Sequence, residues 1–199
     1  MLDQLFKELA EVFDGEREIE KHAREALLES VGMAAKAGSP VDGSVDLPEP
    51  VKQVMSAADA HPICRLISAT PFQWLPPQTS SDPGYIEVSL AKVHVELLGP
   101  TGLVASDTVR LGLYGMLPNT EYGVRTHPAE EIYIMLAGQV DWKRGTDPYL
   151  PHGSGERSYH PSMLEHANRT CDHAFMSVYV WHGDISTEQY HYAGTPATD

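Results

Sequence analysis

The sequence predicts a mostly β protein, a barrel or sandwich of short strands preceded by a helical segment. Three observations carry this expectation. Apolar residues recur at helical steps up to about residue 60. From about residue 62 the pattern changes to short apolar or alternating runs cut by Pro and Gly. The chain has 199 residues and is 42% apolar, enough for one ordinary domain with a real core plus an appendage.

Within the first part, Leu2, Leu5, Leu9 and Val12 form a helical stripe flanked by Phe6 and Phe13. Asp14-Gly15 breaks it. A second helix is expected from residue 17 to about residue 36, with Ala23, Ala26, Leu27, Val31 and Ala34 on one side and Gly38-Ser39-Pro40 as its stop. Residues 43–50 read as loop, and Pro50 suits the start of a third short helix over residues 51–60. Strand-like runs then occupy residues 85–98, 108–117, 131–142 and 175–181. Val93, Val95 and Leu97 alternate with His94 and Glu96, as in a half-buried strand. The expected organisation is a helical segment, residues 1–61, packed on a barrel formed by residues 62–199.

Composition excludes some functions. The formal charge is −14, from 28 acidic and 14 basic residues, with no Lys/Arg cluster, so nucleic acid is a poor partner. No apolar run is long enough to span a membrane. The acidic, amphipathic N-terminus lacks the basic region and cleavage site of a secretory signal. Two cysteines, Cys64 and Cys171, do not make a disulfide framework, and burial is the commoner fate of a free cysteine such as Cys171. A cytoplasmic monomer or homodimer acting on a small molecule is the expectation.

The chemistry-bearing residues lie late in the chain. Ten histidines are many for this length, and they cluster after residue 126. His127 and Glu131 offer an imidazole and a carboxylate to a divalent ion. On one regular strand running across Pro128, His127, Glu131 and Tyr133 share parity and face inward, while Glu130 and Ile132 face out. The Ala137-Gly138 pair should close that strand with a tight turn. A second segment carries Pro161 and Glu165-His166, with His166 opening the next strand. Two histidines and one carboxylate with open positions suit Fe(II) and similar ions, and these ligands admit Fe, Mn, Co, Ni or Zn.

The first segment resembles the first cupin motif, a glycine, a His-x-His pair, a glutamate and a closing glycine. Glu131 and Gly138 keep its spacing, and His127 takes the second His position. The second segment resembles the second cupin motif through Pro161 and His166, with Met163 where that motif has glycine. Arg125 stands at the first His position, and a guanidinium has no lone pair to give, so a three-ligand site is expected. Arg125 is read as an outward, solvated arginine in preference to a carboxylate clamp.

The layout is more closely similar to the cupin dimethylsulfoniopropionate lyases of the DddQ type. That resemblance rests on Tyr122, His127, Glu131, Tyr133, His166 and Trp181. It implies a double-stranded β-helix (jelly-roll) cupin barrel behind an N-terminal helical segment. It implies one divalent transition metal ion on His127, Glu131 and His166, with Tyr133 as the catalytic base and Tyr122 and Trp181 lining the substrate pocket. The implied reaction is β-elimination of dimethylsulfoniopropionate to dimethyl sulfide and acrylate. From the residues alone Tyr133 reads as a strand-packing tyrosine, and the ligand set suits an Fe(II) dioxygenase acting on a small substrate equally well. A non-catalytic small-molecule-binding cupin is the third reading. His160, His173, His182 and His191 match no metal position and are read as polar rim or tail residues.

Overall fold

A computed structural model describes residues 1–33 and 45–195. Helices α1 (Leu2–Val12) and α2 (Glu18–Glu29) follow the two apolar stripes, and α3 (Glu49–Met55) begins with Pro50 in its first turn. Helix α2 ends at Glu29, where Ser30 caps it, short of the expected end near residue 36, and α3 ends at Met55 and not near residue 60. The expected stop at Gly38-Ser39-Pro40 and the start of the following loop lie outside the described residues. Two further short helices follow, α4 (Cys64–Ala69) and α5 (Pro83–Ser89).

Helix α5 corrects the reading of residues 85–98 as one strand. Asp82 accepts a hydrogen bond from the Tyr85 amide at 3.1 Å, and Pro83 supplies a preset first turn. That start signal outweighs the β-prone Tyr85, Ile86 and Val88. The strand proper is β1 (Lys92–Gly99), with the expected alternation until a bulge at Glu96–Leu98.

The remaining strands are β2 (Val104–Ala105), β3 (Val109–Met116), β4 (Glu121–Thr126), β5 (Glu130–Gly138), β6 (Val140–Arg144), β7 (Leu150–His152), β8 (Arg157–His160), β9 (His166–Arg169), β10 (Phe175–His182) and β11 (His191–Gly194). They form two sheets, ordered β2-β1-β3-β10-β5-β8 and β11-β4-β9-β6-β7. Neighbours pair antiparallel apart from β1 with β2. The fold is the expected cupin barrel behind N-terminal helices.

Sheet one is buried on both faces. Its outer face, with Leu111, Leu113, Ile132, Ile134, Val178 and Val180, shares one apolar cluster with Leu5, Phe6, Leu9, Ile19, Ala23, Leu27 and Val51 of the helices. Its inner face joins Tyr114, Tyr133, Met135, Phe175, Tyr179 and Trp181 to Tyr122, Val140 and Trp142 across the barrel. Burial on both sides explains why β5 and β10 read as nearly continuous apolar runs. Arg157 of β8 ties the α1–α2 turn to the barrel edge through Asp14 and the buried Glu20.

Gly138 between β5 and β6 has φ +70°, and a Cβ there would lie 2.0 Å from the Ala174 carbonyl oxygen. Only glycine suits this turn. Cys64 is buried, but Cys171 is exposed beside the turn after β9, contrary to expectation. No described helix is long and apolar enough to cross a membrane.

Candidate metal centre

The chain does not run as one strand across Pro128. Strand β4 belongs to one sheet and β5 to the other, so residues 127–129 cross between them. His127 therefore sits at the crossover and not on the strand that carries Glu131. It nevertheless faces inward, because its Nδ1–H donates to the Ala129 carbonyl at 3.0 Å. His166 opens β9 as expected, and its Nδ1–H donates to the Leu164 carbonyl at 2.8 Å. The two segments are stitched together by the Met163 amide, which donates to the His127 carbonyl at 2.9 Å. Met163 holds φ +63°, which explains why the cupin motif places glycine there.

These bonds fix the tautomers. A carbonyl only accepts, so Nδ1 carries the hydrogen in both rings and a neutral imidazole presents its Nε2 lone pair. The His127 Nε2 lies 3.5 Å and the His166 Nε2 3.1 Å from the Glu131 Oε2. Both Nε2 atoms are buried and make no hydrogen bond. The candidate ligand atoms of His127, Glu131 and His166 lie within 4.8 Å of one another. Burial, then the positive Arg125, holds the His166 pKa well below its ordinary value, so that ring is neutral near pH 7. Converging lone pairs beside a carboxylate suit a cation between them, and the donor set fits a divalent transition metal.

Around the ligands stands a support that the residue pattern did not disclose. His160 is wholly buried, not a rim residue. Its Nδ1–H donates to Glu131 Oε2 at 3.2 Å, and its Nε2 accepts from the Ser158 hydroxyl at 2.8 Å. Its ring stacks on His166 at 4.3 Å between centroids. The other oxygen of Glu131 accepts the Trp181 indole N–H, and that ring stacks on His127 at 4.0 Å. Burial would raise the Glu131 carboxyl, but hydrogen bonds donated to it, that of His160 Nδ1–H among them, prevail and hold it well below the usual carboxylate range. His160→Leu is expected to weaken metal binding about 10–100-fold, the usual effect of losing an outer hydrogen-bond partner, as read by metal titration against a chelator. His173 and His191 are exposed, and His182 bonds Glu130 outside the barrel at 2.9 Å, under His22 of α2.

Glu131 borders a pocket of about 430 Å³ including its mouth, lined also by Tyr114, Tyr122, Arg125, Tyr133, Trp181 and Tyr190 among others. Arg125 is 2% exposed and points into this pocket, which overturns the outward reading. The cause is a bulge. Tyr122 pairs with Asn168 and Arg125 with His166, so β4 spends one residue more than β9 and both side chains turn inward despite opposite parity. Arg125 Cζ lies 3.9 Å and Lys92 Nζ 3.1 Å from the centre of the Tyr122 ring. The Tyr122 hydroxyl meets that of Tyr190 at 2.6 Å. Lys92 is buried without a hydrogen bond, and burial with the Arg125 charge pushes its amine down to about 5. Tyr133 is buried against Trp142 at 4.6 Å and Tyr114 at 5.7 Å. Lys92 and Tyr190 stood out in no sequence motif; only their neighbours in space reveal them.

Residues 73–177 match the family profile of dimethylsulfoniopropionate lyases. The chain is similar to the dimethylsulfoniopropionate lyase DddQ of Ruegeria pomeroyi, 38% identical over 91 residues. That alignment covers 46% of this chain and 45% of the relative, so it spans about half the length of the curated protein it matches. The crystal structure of DMSP lyase DddQ from Ruegeria pomeroyi DSS-3 superposes with a TM-score of 0.63 at 27% identity, covering 98% of this chain and 100% of that one. A structure described with the DMSP lyases RdDddP and RnDddQII gives a TM-score of 0.58 at 22% identity, over 78% of this chain and 83% of the other, and supports the fold alone.

Proposed function

The chain belongs to the dimethylsulfoniopropionate lyase family, and from that premise we propose that it cleaves dimethylsulfoniopropionate by metal-assisted β-elimination. The observation that carries the proposal is the convergence of His127, Glu131 and His166, with two unpartnered Nε2 atoms, beside a pocket lined by Glu131 and the buried phenol of Tyr133. His127, Glu131 and His166 would hold the ion, and their donor types admit Fe, Mn, Co, Ni or Zn. When bound, the ion supplies positive charge that acidifies the carbon next to the substrate carboxylate and favours the Tyr133 phenolate.

Tyr133 Oη takes the proton from that carbon. The electron pair of the broken C–H bond forms the C=C bond of acrylate. The C–S bond breaks, and its pair leaves with neutral dimethyl sulfide, so no general acid is needed. Burial, then the Glu131 charge, holds the Tyr133 phenol well above its ordinary value, while Arg125 works in the opposite direction. Trp181 and Tyr122 line the pocket where the sulfonium sits, and aromatic faces suit a cation with few hydrogen bonds to offer. The Tyr122 ring already carries Arg125 and Lys92, so Trp181 is the stronger of the two for that task.

The test is incubation of metal-replete protein with dimethylsulfoniopropionate, following dimethyl sulfide in the headspace and acrylate in solution. Release of both in equal amounts is expected. Absence of both with each of the five metals would refute the assignment.

A further inference from the structure

We propose that Arg125 is a second anchor for the substrate carboxylate, a fork beside the metal-ligating residues that selects acids over neutral analogues. The inference rests on the reading of this pocket as the substrate site and extends it to a residue outside the ligand set.

A guanidinium is permanently charged, and burying a charge is costly without compensation. The other arginines on the barrel strands that form ion pairs meet this with carboxylates: Arg110 with Glu96, Arg157 with Asp14 and Glu20, and Arg169 with Asp141. Arg125 is the most buried of these four, yet among the described residues no carboxylate lies within salt-bridge distance of it. Its partners are neutral. Nη2 donates to Asn168 Oδ1 at 3.0 Å, and Nη1 to the Gly123 carbonyl at 3.5 Å. The group stacks on Tyr122 and lies 5.4 Å from the centre of the Trp142 ring.

Five N–H donors are available, and two are used. The charge of Glu131 reaches Arg125, but its oxygens are already engaged by Trp181 and His160. What remains is a buried cation on the wall of a pocket with spare donors and, among the described residues, no carboxylate in salt-bridge contact. A planar fork of that kind matches a carboxylate.

The inward placement is built into the backbone. The bulge that turns Arg125 inward contains Gly123, where a Cβ would lie 2.3 Å from the Gly194 carbonyl oxygen of β11. Strand β11 thus closes over the bulge, and Arg125 has no simple route outward. In a chain of net charge −14, a local cation is also what an anionic group needs in order to enter.

The experiment titrates zinc-loaded protein with propionate and with propionamide, which share a shape and differ in charge, and follows tryptophan fluorescence. Trp142 and Trp181 both line or flank the pocket and serve as reporters. In Arg125→Gln, propionate is expected to bind about 10- to 100-fold more weakly, the range for losing a charge-assisted hydrogen bond, with propionamide and zinc content unchanged. In Arg125→Lys, which keeps the charge without the fork, a smaller loss confined to propionate is expected. A wild-type ratio of acid to amide binding in either variant overturns the proposal. So does equal weakening of both ligands, which would make Arg125 a packing residue. If wild type releases no dimethyl sulfide but the Arg125-dependent preference for acid persists, the lyase reading fails and the anchor stands. If dimethyl sulfide is released and the ratio does not move, the anchor alone fails.

Discussion

Tyr133→Phe is expected to lower dimethyl sulfide release by roughly 10²- to 10⁴-fold, the usual effect of removing a general base, while metal content stays at the wild-type level. The ring is wedged among Trp142, Tyr114 and Tyr179, with centroids at 4.6, 5.7 and 5.8 Å, and phenylalanine keeps all three contacts. His127, Glu131 and His166 are untouched, so the loss should fall on turnover and not on metal binding. The pH dependence supplies an independent readout. The active form of the base is the phenolate, so wild-type turnover must fall as pH drops through the phenol's pKa and rise above it. Burial and Glu131 push that pKa upward, and a cation on the ligands opposes them. The ascending limb should vanish in Tyr133→Phe. Retention of most of the turnover at matched metal occupancy would make Tyr133 a packing residue.

Replacing both His127 and His166 by alanine should abolish metal binding and reduce activity to the uncatalysed background. Two of three ligands are lost, so the effect must exceed the roughly 10–100-fold expected for an outer partner such as His160. The same substitutions remove the lone pairs that crowd Glu131 at 3.5 and 3.1 Å, so the metal-free variant should remain folded. Elemental analysis after dialysis, with circular dichroism for the fold, decides the matter. Full occupancy in the double variant would place the ion elsewhere.

Much of the architecture was legible from local patterns. The helical stripes of α1 and α2, the Pro50 start of α3 and the turn at Gly138 are each written in neighbouring residues. Glu130 facing out and Glu131 facing in also follow from alternation along a single strand, since β5 pairs regularly over residues 130–135. The reading failed where the chain departs from regularity. Residues 85–89 fold as a helix because a cap at Asp82 overrides β propensity. His127 faces the site from a crossover between sheets, so the parity argument reached the right neighbours through the wrong geometry.

Arg125 and His160 show the boundary most clearly. The sequence by itself pointed to the fold class and to the three candidate ligands through two short segments, and Tyr133 stood out only through the family resemblance. Only the tertiary structure decided that Arg125 is buried, because its direction depends on a bulge set by pairing with β9 and closed by β11. Likewise His160 is spaced like any strand residue, and its role exists only because β8 lies beside β5 and brings it opposite Glu131. Alternation along a strand is a local rule that sequence obeys. Bulges, crossovers and cross-strand hydrogen bonds depend on partners distant in the chain, and the electrostatics of a buried site are made of those partners.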